Sequence, residues 1–315
     1  MDRRQGRSRV LIAAALLLLC GAAEPRTLPI REARWLQTND IVRDLSSLPP
    51  ECIVLPASAA ERRSVEVGRA LFRSPLLLGG QAARAGLSCA SCHRNGRTNP
   101  HFHFPGISGA PGTADVTASL MSKKRGDGTF NPKPIPDLAG DPEKLKVSRD
   151  PASRDLERFI HGLIVEEFDG PEPSPTALDS ISAYVRAASH DACKGTAPVN
   201  LSLASLLADV ESAISLARQS YSEGDAPTGR ALLAAARSML GTIDERFQLP
   251  GLERSRAALR AADQELFRVQ DAGGADGWRE WARSWPGRKR TLLSTESRSL
   301  FSEVVLRRSI EDDGR

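Results

Sequence analysis

The chain has 315 residues, 43 Lys and Arg against 39 Asp and Glu, a formal charge of +4, and few aromatics. That length allows one or two ordinary domains with real cores. Residues 1–23 carry four arginines and one aspartate, so without them the charge falls to about +1, which gives no argument for a nucleic-acid partner.

Residues 1–23 read as an export signal. Arg3, Arg4, Arg7 and Arg9 precede an apolar run from Val10 to Leu19, right for a signal core and too short to span a bilayer. Gly21 and Ala23 suit cleavage before Glu24. A rival reading makes Cys20 a lipid-modified N-terminus, although Leu19 stands where such signals carry a small residue. No later stretch is long and apolar enough to be a transmembrane helix. The expectation is a periplasmic protein, soluble or at most lipid-anchored.

Residues 24–60 are proline-rich and read as an extended arm leading to Cys52. Ser64 is expected to cap a helix over Val65–Phe72, broken by Arg73-Ser74-Pro75, with a loop through Gly79-Gly80 after it. Then comes Cys89-Ala90-Ser91-Cys92-His93. Two cysteines two residues apart, followed by histidine, is the attachment sequence of a c-type haem. On one helical turn the two sulfurs can each form a thioether to a porphyrin vinyl group, and the next imidazole becomes the proximal iron ligand. Two other chemistries compete. A CxxC can be a redox disulfide, but no βαβ pattern surrounds this one. It can be half of a zinc site completed by His101 and His103.

From Asn95 to Pro136 the chain is rich in Gly, Pro, Asn and Ser. A loop this long is normally evidence against an assignment, but a haem would supply the core it packs on. Phe102, Phe104, Ile107, Val116, Leu120, Ile135 and Leu138 are candidate ring contacts, and Arg97 and Lys133 candidate propionate partners. Asp155–Phe168 and Ala177–Ala188 carry helical spacing. Setting aside Cys20 and the motif, Cys52 and Cys193 remain, an even pair that suggests a disulfide in an oxidising compartment.

After Lys194 the composition changes to alanine- and leucine-rich. Helices are expected over Leu201–Tyr221, Thr228–Phe247 and Leu252–Val269, forming an antiparallel bundle over 198–270. Asp271–Gly277 reads as a flexible break. The tail, 275–315, holds Trp278, Trp281, Trp285 and the basic run Arg288-Lys289-Arg290, with a last helix expected after it through Val304.

The stretches Val67-Gly68-Arg69-Ala70-Leu71-Phe72, Leu87-Ser88-Cys89-Ala90-Ser91-Cys92-His93 and Ile181-Ser182-Ala183-Tyr184-Val185 together resemble a class I-type cytochrome c domain. More narrowly they resemble the bacterial cytochrome c peroxidase and MauG-like group. Pro134-Ile135-Pro136-Asp137-Leu138 stands where that group has a T-P-x-L segment, and Phe168-Asp169-Gly170 is similar to its H-D-G stretch. The likeness covers about 65–190. The resemblance implies a class I-like cytochrome c domain over 61–193, which with the helical bundle expected after it gives a mainly α fold. It implies one covalent haem c, a redox protein partner, and electron transfer or peroxide reduction. The di-haem peroxidases need two haem motifs, and this chain has one.

Function then turns on the sixth iron position. A fixed methionine or histidine suits electron transfer, and an open position suits peroxide. Met121, in the loop, and His161, on a helix, are the candidates. Glu166 and Glu167 are candidate proton-handling carboxylates, with His161 and Glu167 the catalytic pair if the distal side is open. The sequence expectation is an open or weakly held position. The alternatives are a pure electron carrier with a fixed sixth ligand, and an exported zinc-bound or disulfide-held binding module.

Overall fold

The computed structural model describes residues 28–117, 120–272 and 275–313; the export signal and Cys20 lie outside them. The described chain is mainly helical, with three short two-stranded ribbons. Its helices of eight residues or more are α1 (Ala59–Phe72), α2 (Asp155–Gly162), α3 (Pro175–Ala187), α4 (Leu203–Ser222), α5 (Ala226–Glu245), α6 (Glu253–Ala272), α7 (Ala275–Leu293) and α8 (Glu303–Asp312). None is long and apolar enough to cross a membrane.

α1 starts before the point its apolar spacing suggests. Ser58 is the cap, its hydroxyl accepting the Glu61 N–H at 3.3 Å. Ser64 sits inside the helix and donates to the Ser180 hydroxyl at 3.2 Å. α1 packs along α3, which opens on Ser174 and Pro175, with the Ser174 hydroxyl accepting the Ala177 N–H at 3.1 Å. The two backbones nearly touch at Gly68, where an added Cβ would lie 1.9 Å from the Ser180 carbonyl oxygen. α2 does not run on to Phe168 as its spacing predicts. It widens into a π-turn over Leu163–Glu167, closed by the Phe168 N–H on the Leu163 carbonyl at 3.1 Å.

α4 packs on α5, α5 on α6, α6 on α7, and α7 returns to α4. Most of the expected break, Asp271–Gly277, is helical: α6 runs to Ala272 and α7 begins at Ala275. The tryptophan tail is therefore largely a fourth helix of this half. Trp281 stacks on Trp285 at 4.6 Å, and the Trp285 indole N–H donates to Glu211 of α4 at 2.7 Å. The rings serve packing inside the helical half and do not dock onto the CxxCH region. One apolar core runs from Phe72 and Ile181 through Leu207 and Leu233 to Trp285, so the two halves share their interior.

Residues 28–58 are no extended arm. Leu28, Ile30, Val42 and Leu45 pack against Leu300, Leu306 and Ile310. Ser47–Leu48 pairs with Val199–Asn200. The Gln37 N–H donates to the His101 carbonyl, and the Trp35 carbonyl accepts the His103 N–H, each at 2.8 Å. Two buried arginines hold this clasp. Arg246 donates to the carbonyls of Leu45 and Leu300, and Arg94 to the carbonyl of Asp44 at 2.6 Å. Cys52 and Cys193 are joined in a disulfide, Cα–Cα 5.1 Å, beside the backbone bond from Ser189 N–H to the Cys52 carbonyl.

Glu51, just before that cysteine, accepts the Tyr184 hydroxyl at 2.8 Å, Arg69 at 2.7 Å and Arg73 at 3.1 Å. Both arginines continue to Asp209 of α4, at 2.6 and 2.7 Å. Burial pushes the Glu51 carboxyl up, but Arg73, Arg69 and the Tyr184 hydroxyl outweigh it and hold the group below the ordinary range.

Two outcomes follow from this packing. Gly68→Ala should destabilise the protein by about 1–3 kcal/mol in urea denaturation, since backbone must move to admit the methyl. A value within about 0.5 kcal/mol of wild type would mean α1 and α3 have room to spare. For Glu51, a depressed folded-state pKa contributes stability that is present above the unfolded value and lost as pH falls through the folded one. Glu51→Gln should therefore cost about 1–3 kcal/mol at pH 7, and the gap should close as pH drops below about 4. A penalty that stays constant with pH would show that the carboxylate charge is not what binds the arginines.

Candidate functional site

The Cys89–Cys92 turn is locally determined. The Ser91 hydroxyl accepts the Ser88 N–H at 3.0 Å, and Asn99 spans the turn, its side-chain amide donating to the Ser91 carbonyl at 2.9 Å. The chain then reverses at Asn95-Gly96, both with positive φ, so that His93 pairs with Thr98. The Thr98 hydroxyl donates to the Ile135 carbonyl at 2.8 Å, which brings the Pro134–Leu138 segment against the motif. His93 Nδ1 lies 3.1 Å from the Pro136 carbonyl oxygen. A carbonyl only accepts, so Nδ1 carries the proton and Nε2 keeps a lone pair free for a ligand. Burial pushes the His93 pKa down to about 4, against the Pro136 bond and the nearby Asp137. The imidazole is therefore neutral at pH 7.

Cys89 and Cys92 are both free thiols, half-exposed but set among apolar groups, and burial pushes each up to about 12. The Phe72 ring lies 6.4 Å from His93 and also packs on Tyr184. His101 is 3.6 Å from Asp44, and among the described residues no group of three or more His, Cys, Asp or Glu could hold a metal ion. His101 and His103 are thus not gathered with the cysteines into a four-ligand set.

The long loop divides. Phe102, Ile107, Ile135 and Met121 are buried, and Phe104 and Leu138 pack against the same core. Leu120 is exposed, outside that core. Arg97 grips Asp137 with Nε 2.8 Å from both carboxylate oxygens, so it is already paired, and Lys133 is exposed. Among the buried donors without a partner are three nitrogens on two residues that the sequence did not single out: Trp35 Nε1 and, on Arg149, Nε and Nη2. Arg149 lies within electrostatic reach of Asp137 and donates by Nη1 to the Ala188 carbonyl at 2.9 Å.

Met121 is 1% exposed. The loop behind it is fastened to the π-turn: the Ser122 hydroxyl donates to the Glu166 carbonyl, and the Lys123 N–H to Asp169 at 2.9 Å. Glu167, on that turn, is buried, pairs with Arg125 at 2.9 Å through one oxygen, and leaves the other without a partner. Burial pushes its carboxyl above the ordinary range against the pull of Arg125. The structure thus brings Met121 and Glu167 to adjoining segments. His161 stands apart at the surface, where Nε2 is 2.8 Å from Glu172. Glu166 is half-exposed and pairs with Arg125 at 3.3 Å. Met239 belongs to the core on α5.

No family model matches the chain, and no curated protein or solved structure matches it.

Proposed function

We propose that the chain is an exported c-type cytochrome that transfers electrons, with a class I-like haem domain over 61–193 backed by a helical bundle. The observation that carries the reading is the state of the motif. Two free thiols on one turn are followed by a neutral imidazole whose Nδ1 is held by Pro136 and whose Nε2 is left available. A histidine oriented by a hydrogen bond at its other nitrogen is how proteins prepare a metal ligand. Cys89 and Cys92 would carry the thioethers and His93 the iron, and the bound haem would supply one-electron chemistry. The orphaned donors fit the same group. Trp35 Nε1 and Arg149 Nη2 are buried without acceptors, a costly state that propionate oxygens would relieve. Arg149 replaces Arg97 and Lys133 as the cation suited to that task.

For the sixth position the burial of Met121, and the pairing of His161 with Glu172, favour Met121. This departs from the open site expected from sequence, because a buried thioether on a fastened loop suits a fixed ligand. The chain's part in the function is then to exclude water and hold the coordination constant, while a separate redox protein in the periplasm gives or takes the electron. A second reading, peroxide reduction, is favoured by the Glu167 carboxyl oxygen that is buried and unpartnered beside the Met121 loop.

Produced with c-type maturation machinery, the protein should keep haem colour on a denaturing gel, and the Cys89→Ala, Cys92→Ala double variant should lose it. A colourless wild type containing stoichiometric zinc would sink the cytochrome reading. Ferric protein should show the methionine-ligation band at about 695 nm, lost in Met121→Ala and kept in His161→Ala. If wild type lacks that band and binds cyanide readily, the peroxide reading takes over, and Glu167→Gln should then slow peroxide turnover by about 10²-fold or more.

A further inference from the structure

Of the run Arg288-Lys289-Arg290, the first two residues are neutralised inside the helical half. Arg288 pairs with Glu265, and Lys289 with Glu211 at 2.8 Å. Arg290 has no carboxylate partner among the described residues. It lines a surface groove of about 770 Å³ together with Arg254, from the first turn of α6, and Arg298, from the turn before α8. Neither of these is ion-paired with a described residue. Three unpaired guanidinium groups from three separate elements therefore converge on one concavity, and no Asp or Glu lines it.

Three like charges in one groove repel one another, and no described carboxylate lines the groove to offset them. The rest of the wall suits a ligand. Gly251 and Gly287 contribute no side chain, and a Cβ at either would meet nothing within 4 Å. Thr291, Ser294 and Thr295 present hydroxyl oxygens, although their protons are spent on carbonyls of α7, so charge recognition falls to the arginines. The nearest carboxylate along the chain, Glu253, is turned to the Gly251 N–H at 3.0 Å. Planar forks of this kind match tetrahedral oxyanions bidentately.

We propose that this groove binds a phosphate-bearing ligand, with Arg254, Arg290 and Arg298 as its anchors. The size and triple charge fit more than one phosphate group, or one phosphate on a larger body. A free phosphorylated solute and a phospholipid headgroup offer the same chemistry. The proposal is independent of the haem reading.

The test uses the full-length protein and inorganic pyrophosphate in titration calorimetry at about 0.15 M salt, where diffuse surface attraction is screened. Saturable binding is expected. Arg254→Ala, Arg290→Ala and Arg298→Ala should each weaken it about tenfold. Arg308→Ala removes the same charge from an exposed position on α8 outside the groove and should change affinity less than twofold, on the order expected for a screened charge. All four positions are exposed, so folding is unaffected. Co-sedimentation with phosphatidylglycerol vesicles, competed by pyrophosphate, would assign the ligand to a headgroup. Pyrophosphate binding without sedimentation would assign it to a soluble phosphate compound. No binding of either probe, or an equal loss in Arg308→Ala, would overturn the site.

Discussion

The Glu51 carboxylate is the constraint on which the arrangement around the motif depends. It is contributed by the N-terminal clasp, and its partners come from α1 and α3, with Asp209 of α4 one step further through the same arginines. Arg73 also donates to the Asn95 side chain at 2.8 Å, at the turn that follows His93. Each of these charges gave up water to enter the cluster. Removing one leaves others buried without compensation, so deleting a single member costs more than the cluster as a whole contributes. Arg73 thereby ties the turn after the motif to the helical half, since it touches both Asn95 and Asp209.

The hydrophobic core makes the same point by different means. Because α1 lies against α4 and α5 as well as α3, the region of the CxxCH turn cannot move independently of the four-helix half without exposing shared apolar surface. That half acts as a platform, and its charged groove faces solvent on elements remote in sequence from the motif.

Much of this was legible in the sequence wherever the signal was local. Helical spacing located α3 to α6 to within a few residues, because their apolar faces are continuous. The start of α1 was missed because Ala59 to Ser64 is small or polar, so periodicity begins only at Val65 although Ser58 already caps the helix. In sequence α7 reads only as a tail holding three tryptophans and a basic run; it is one helix that continues past Pro286-Gly287, with Trp281 stacked on Trp285. The clasp had no local signature, since its partners Leu300, Leu306 and Ile310 lie some 250 residues away. At the proposed site, the CxxCH motif and Met121 could be picked out as candidates directly. Arg149 could not: an isolated arginine in an irregular segment looks like any solvated charge until its orphaned nitrogens are seen. The pairing of Arg97 was hidden for the converse reason, as its partner Asp137 is brought close only by the fold.

The disulfide sets a problem of order that the finished structure conceals. Cys52 and Cys193 are 141 residues apart, and the two motif cysteines lie between them. A chain emerging N-terminus first presents Cys52, then Cys89 and Cys92, and only later Cys193. In an oxidising medium Cys52 therefore meets two wrong partners before the right one exists, and closing the shorter loop is entropically the easier event. On the proposed reading, capture by Cys52 would also block the sulfur that must receive the porphyrin. On that reading, maturation of this chain would be a race between thiol oxidation and haem attachment. Whatever keeps Cys89 and Cys92 reduced until α3 has been delivered decides how much of the protein reaches its native connectivity.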